Sequence, residues 1–566
     1  MFALAACARS SHPSSILLVT LDTTRADRIG CYGRAEAGTE ALDQLAARGV
    51  RFERAYTTAP ITLPAHASLL SGSFPPHHGL VDNGLAALDE RVETLAEACR
   101  ASGLRTAAFV SAFPVARPFG LAQGFDVYDD EFATKATPDG IRERRGDETV
   151  ARARAWLEGL KSDESFFLWV HLFDAHDPYA APPEYTRRFS DAYQAEVAFA
   201  DAYLGELLDA LERADRAPDT VVCVTADHGE GLGEHGEETH ALLLYDTTVH
   251  VPLVLAGPGI EPRVVSEPVS HADVAATLIE AAHVESEFDF TRLGGRSLVP
   301  LLGGGSLPPR EAYFETWFPR LHYGWSDLRG LVTTQWKYVE AVRDAEPGQH
   351  GRAELFARPG DTGETRDLSG EEAEAVDALH LALASQYSRL ALHSVQGRKT
   401  ALKSEELDAL AALGYAGADI GALEAGGRLC DPRPLVEAVT LLNRVRALAR
   451  GGELAGANDA LAALAALEPG EVLVHEARGE VHLARARGGE REAFAAAADE
   501  FAAACALEPD RRGLWLRRYE ALRALGRLSE ALESLDRALA LGPPTSEFRA
   551  ARDELERAVR GQSQKR

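Results

Sequence analysis

Ser15-Ile16-Leu17-Leu18-Val19-Thr20-Leu21-Asp22 is an apolar run that ends in a carboxylate. It does not alternate, so it reads as a strand buried on both faces rather than one with a wet side. The design returns in Thr220-Val221-Val222-Cys223-Val224-Thr225-Ala226-Asp227, which continues into His228-Gly229-Glu230. Residues 106–113, 165–174 and 251–256 are further strand candidates. Amphipathic stretches at 41–48, 95–102, 149–160 and 192–214 lie between them. This alternation predicts an α/β sheet with helices on both sides. In such sheets ligands bind beyond the carboxyl ends of strands, where Asp22, Asp174 and Asp227 fall.

Thr62 lies between the two key strands, in Ala59-Pro60-Ile61-Thr62-Leu63-Pro64-Ala65-His66-Ala67-Ser68-Leu69-Leu70-Ser71-Gly72. Pro64 suits the first turn of a helix running to about Leu70, so Thr62 is expected at or just before its N-cap. The amino end of a helix favours negative charge and offers N–H groups to phosphate oxygens. Taken singly, Asp22 reads as the cap of the next helix and Thr62 as another. Together with Asp227-His228 they read as a shared metal site, since divalent metals favour mixed oxygen and nitrogen ligands. A metal held by Asp22 and Asp227 would lower the pKa of the Thr62 hydroxyl and activate it. His66 would stand one turn beyond Thr62 on the same helical face. His176, in Phe173-Asp174-Ala175-His176-Asp177-Pro178-Tyr179, and His240, in Glu238-Thr239-His240, complete the candidate catalytic set. Each histidine alone is better explained by packing; the neighbouring carboxylates favour catalysis.

Composition sets the outer bounds. The 566 residues imply several domains. A formal net charge of -28 excludes nucleic acid or an anionic membrane surface as the main partner. The 6 cysteines are scattered, with no Cys-x-x-Cys pair, so neither a disulfide framework nor a thiolate zinc site is expected. No run is long and apolar enough to span a bilayer. Leu4-Ala5-Ala6-Cys7 resembles a bacterial lipobox without the usual basic and apolar regions before it. Residues 1–13 are therefore read as a signal remnant. Lipidation of Cys7 would anchor the protein in the cell envelope; without it the cytoplasm is expected.

The order of segments suggests a catalytic domain at 14–305 and a small α+β subdomain at 306–400, with short antiparallel strands near 311–318, 330–341 and 354–356. A linker at 401–431 follows, then a helical tail at 432–562 rich in Ala, Leu, Glu and Arg. Leu467-Glu468-Pro469, Leu507-Glu508-Pro509 and Leu541-Gly542-Pro543 recur there, their prolines 40 and then 34 residues apart. The second interval is the tetratricopeptide period. An insertion around 487–491 accounts for the longer one. Such arrays fold on neighbour contacts, so the tail is expected to fold alone and to bind a protein or macromolecular partner.

Several of these segments resemble the sulfatase-like branch of the alkaline phosphatase superfamily. The matching residues are Leu21-Asp22-Thr23-Thr24-Arg25-Ala26-Asp27 with Gly30-Cys31-Tyr32-Gly33, Thr62 through Gly72, and Phe173 through Tyr179. Thr225 through Gly231, Gly295-Arg296-Ser297-Leu298 and the stretch from Glu405 to Tyr415 follow in the same order. The resemblance implies a mixed sheet sandwiched by helices. It implies Asp22, Asp227 and His228 as metal ligands, Thr62 at the nucleophile position touching the metal, and His176 and His240 as binders of the transferred group. The family motif is Cys/Ser-x-Pro-x-Arg; this chain has Thr62 first and His66 last. Threonine cannot become formylglycine, which argues for phosphate or phosphonate esters over ordinary sulfate hydrolysis. Asp246 and His250 have the spacing of a second metal motif but stand in the wrong place, so a single divalent ion (Ca, Mg, Mn or Zn) is expected. The expectation is thus a metal-dependent hydrolase or transferase of anionic esters. The alternatives are a sulfatase working without formylglycine and a catalytically dead scaffold with a protein-binding tail.

Overall fold

A computed structural model of the protein shows fifteen strands among its described residues, with helices covering them. It describes residues 14–132, 142–342, 351–392, 394–400, 402, 406, 409–410, 415, 429–467, 470–541 and 546–563. Cys7, Pro469, Pro543 and most of the 401–431 linker lie outside these residues. The strands are β1 Ser15–Leu21, β2 Val50–Tyr56, β3 Ala86–Ala87, β4 Arg105–Phe109, β5 Val127–Asp129, β6 Phe166–Leu172, β7 Thr220–Ala226 and β8 His250–Ala256. They continue as β9 Arg263–Val265, β10 Val269–Ser270, β11 Ala312–Thr316, β12 Leu328–Val332, β13 Trp336–Ala341, β14 Ala353–Ala357 and β15 Arg398–Lys399.

The first strand quoted above is central. The main sheet runs β10-β2-β8-β7-β1-β6-β4-β5, with β9 beside β2. β1 pairs in parallel with both β6 and β7, whereas β8 runs antiparallel to β7 and β2. All seven residues of β1 are buried. Ile16 and Leu18 join one apolar core with the helices Thr62–Ser71 and Leu95–Ala101. Leu17, Val19 and Leu21 join another, built with Glu40–Ala47, Gly146–Glu158 and Ala192–Arg213. Two covered faces explain why β1 is apolar throughout. β2 escaped the sequence reading because Arg51, Glu53 and Arg54 interrupt it, and only some of its residues are fully buried.

A second, antiparallel sheet follows in the order β11-β12-β13-β14. The expected single strand at 330–341 is two, because Thr333 accepts the N–H groups of Gln335 and Trp336 and turns the chain. Lys337, fully buried on β13, ties this sheet to the main fold by ion pairs to Asp246 at 2.8 Å and Glu364 at 2.6 Å.

The tail is all helix: Val436–Arg450, Leu454–Ala466, Glu471–Arg487, Ala493–Leu507, Arg512–Leu525, Leu528–Leu541 and Ser546–Ser563, each packed on its neighbours. It is not set apart from the rest, as the repeat reading had it. One apolar cluster runs from Tyr56, Leu242 and Leu244 through Tyr323 and Trp325 to Val436, Val439, Leu442 and Leu473.

Candidate active site

Strand register builds the centre of the site. Leu21 of β1 lies opposite Ala226 of β7, so the next residues, Asp22 and Asp227, leave the sheet side by side. With His228 they offer ligand atoms within 4.8 Å of one another, all buried. Each carboxylate has one oxygen engaged and one without a partner. Asp22 Oδ2 meets His171 Nε2 at 3.0 Å, while Oδ1 has no hydrogen bond. Asp227 Oδ1 accepts the N–H groups of Thr23 (3.1 Å) and His228 (2.8 Å), while Oδ2 has none. His228 Nδ1 donates to the Gly229 carbonyl at 3.0 Å, which leaves the Nε2 lone pair toward the carboxylates. Ser111 N–H donates to His171 Nδ1 at 3.3 Å, so the Nε2 proton of His171 points at Asp22.

Buried acceptors without donors are costly unless a cation meets them. Burial lifts the Asp22 carboxyl to about 7, and it raises Asp227 as well. Burial opposes charge on His228, but Asp227 and Asp22 outweigh it and raise the imidazole. Burial also drives His66 down to about 3 and His171 to about 4, so these rings are neutral and bring no compensating charge. Free carboxylate oxygens, an oriented imidazole lone pair and neutral neighbours fit one divalent metal held by Asp22, Asp227 and His228.

Thr62 is the first residue of its helix, with Ile61 rather than Thr62 as the cap. Its hydroxyl lies 3.5 Å from His228 Nε2, at the rim of the carboxylate cluster. The helix end has few N–H groups to offer an anion. Leu63 N–H already bonds Asn83 Oδ1 at 2.8 Å, and Pro64 has none. His66 does fall one turn on, but both its nitrogens are committed, to the Thr62 carbonyl (2.8 Å) and Thr20 Oγ1 (3.0 Å). It stands behind Thr62 and 3.6 Å from Asp227 Oδ2, as a support for both.

His176 and His240 come together, with ring centroids 5.2 Å apart, and His240 lies 4.4 Å from His228. His240 Nδ1 meets Glu230 Oε1 at 3.0 Å, and Nε2 meets the Tyr415 hydroxyl at 2.9 Å. The pair Asp246 and His250 is used elsewhere: Asp246 pairs with Lys337 and Arg358, and His250 Nε2 bonds the Glu53 carbonyl at 2.8 Å.

The sequence reading missed five residues around this centre. His171 lies in a strand that looked wholly structural, and Glu230 was quoted without a part. Tyr415 is brought in from the linker. Asp82, paired with His322 at 2.9 Å, and its neighbour Asn83 each keep one buried polar atom without a partner, Asp82 Oδ1 and Asn83 Nδ2. Glu230 carried a local signal, the glycine-flanked carboxylate after a strand-end Asp-His, and Tyr415 only its place in the family resemblance.

Residues 14–284 match the Sulfatase family model. Choline-sulfatase of Rhizobium meliloti (strain 1021) is 27% identical over 387 residues, covering 54% of this chain and 74% of that protein. The uncharacterized sulfatase YidJ of Escherichia coli (strain K12) is 26% identical over 341 residues, covering 48% and 68%. Among solved structures, a phosphonate monoester hydrolase of Agrobacterium radiobacter has the same fold, with a TM-score of 0.56 and 21% identity over 66% of this chain and 96% of that one. Residues 14–284 thus form a sulfatase-like domain of the alkaline phosphatase superfamily, and at that level the protein is an ester hydrolase.

Proposed function

We propose that the protein hydrolyses phosphate or phosphonate esters, with Thr62 as a metal-activated nucleophile. The observation that carries this reading is the Thr62 hydroxyl at the rim of the Asp22, Asp227 and His228 cluster, 3.5 Å from His228 Nε2. A divalent ion there supplies Lewis-acid polarisation of the substrate oxygen and lowers the pKa of a nearby hydroxyl. Thr62 Oγ1 attacks phosphorus in line, its bond to phosphorus forms, and the ester oxygen leaves with a proton. Water then cleaves the phosphothreonine and returns the hydroxyl. His66 keeps Thr62 and Asp227 in place, and His176 and His240 line the side on which the leaving oxygen departs. Transfer to an acceptor hydroxyl uses the same first half. A sulfatase without formylglycine would share the site. The relatives named as sulfatases support that second reading. A scaffold without activity would gain nothing from carboxylates whose free oxygens converge.

The test is a screen of purified protein with several divalent metals on aryl phosphate monoesters and diesters, phosphonates and sulfates. Phosphorus esters should be preferred. Thr62→Ala should lower turnover by more than about 1,000-fold with bound metal retained, and Thr62→Ser should keep part of it. A Thr62→Ala protein with full turnover ends the covalent reading; turnover of sulfates alone moves it to the second.

A further inference from the structure

His240 is the one imidazole of the site gripped from both sides by side chains. Glu230 holds Nδ1 through Oε1, and its other oxygen accepts the Tyr179 hydroxyl at 3.2 Å. With that grip alone the ring would pivot about a single hydrogen bond. The second grip, on Nε2, comes from Tyr415, which belongs to neither sheet and follows both in the chain. Tyr415 is 6% exposed. Its ring packs edge-on against Phe318, with centroids 6.1 Å apart, and Phe318 stacks on His322 at 4.1 Å. Burial, and after it the charges of Asp82, Asp22, Glu230 and Asp227, hold its phenol well above the usual tyrosine range. A phenol so deeply buried has to use its hydroxyl, and His240 is the partner it finds.

We propose that Tyr415 is a positioning residue of the ester hydrolase: its hydroxyl sets the orientation of His240. This rests on the proposed placement of His240 beside the leaving oxygen. Catalytic geometry is sensitive on this scale, a misplacement of about 1 Å being worth about a hundredfold in rate. Both nitrogens of His240 are engaged, so its part is to hold a fixed ring face beside His228 and His176 rather than to hand over a proton.

Tyr415→Phe keeps the ring and its packing on Phe318 and removes the hydroxyl alone. Two measurements on the full chain decide the matter. In protein labelled with 15N at histidine, the His240 ring resonances should move in Tyr415→Phe. On an alkyl phosphate ester and on a 4-nitrophenyl ester, kcat should fall about tenfold or more with KM nearly unchanged. Tyr415→Ala, which also loses the ring, should add a lowered unfolding temperature. Unmoved His240 resonances in Tyr415→Phe overturn the proposal, as do wild-type rates on both esters. If the wild type turns over no ester, the proposed function falls, and the resonances still decide whether Tyr415 orients His240.

Discussion

Asp22 and Asp227 show how much one residue's surroundings demand. Each is buried and each presents an oxygen that nothing in the protein satisfies. The Asp22 carboxyl, ordinarily near 3.8, stands at about 7 because burial disfavours its charge. A raised carboxyl pKa means that the folded protein holds the proton more tightly than the unfolded chain. That contribution to stability is therefore lost as pH climbs through about 7. Neutral buried histidines such as His66 and His171 act in the opposite sense below their usual range, so the informative quantity is the effect of metal at each pH. A metal competes with protons for these oxygens. The rise in unfolding temperature on adding a divalent ion should be larger at about pH 8 than at about pH 6, by calorimetry. An equal rise at both would mean that Asp22 does not ligate. These residues were legible from sequence because a strand-end carboxylate declares itself in text. His171 did not, since in Phe-Leu-Trp-Val-His-Leu it stands inside an apolar strand and its task depends on register with Thr20 and Asp22. Asp82 and Tyr415 are placed by tertiary contacts that no local spacing records.

At the scale of elements, long apolar strands and amphipathic helices were legible, and strands with charged faces were not. β2 is the clearest case, since its Arg and Glu residues hide a position between β8 and β9. Helix ends also depend on distant partners. The helix Glu40–Ala47 has no side-chain cap of its own. Its free N–H groups at Ala41 and Leu42 are instead accepted by the two oxygens of Asp201, each at 2.9 Å, from the helix Ala192–Arg213. Asp201→Ala should cost about 1–3 kcal/mol, because a buried donor at Leu42 and a half-buried one at Ala41 lose their acceptor. Asp201→Asn, which keeps one acceptor, should cost less. Denaturant unfolding of both variants checks this; an Asp201→Ala protein as stable as wild type would show that water replaces the carboxylate.

At the scale of the whole molecule, the tail's helical character was readable from composition, but its attachment was not. Val436 and Thr440 press on the Gly236 turn, four residues before His240: a side chain at Gly236 would meet Val436 at 2.9 Å, and the Thr440 hydroxyl bonds the Gly236 carbonyl at 3.2 Å. The tetratricopeptide reading treats the tail as a self-contained stack. The shared apolar cluster leads to a different expectation. Removing the residues after 430 uncovers Leu242, Leu244, Tyr323 and Trp325. The shortened protein should aggregate or unfold at lower temperature, as light scattering during a thermal ramp will show. A shortened protein as soluble and heat-stable as the full chain would restore the two-module view.

The central place of β1 also has a consequence in time. Its partners β6 and β7 start at Phe166 and Thr220, so roughly 145 and 200 residues must be made after Leu21 before its two edges can be filled. At about 5–20 residues per second on the ribosome, the second edge waits about 10–40 seconds. For most of that interval β1, buried along its whole length in the finished sheet, has no permanent neighbour, and unpaired strands of this kind are where chains stick to one another. The hour-glass of synthesis, rather than the finished structure, is then where the protein is most exposed to loss, and slower translation or a missing holding chaperone would lower its yield without altering a single native contact.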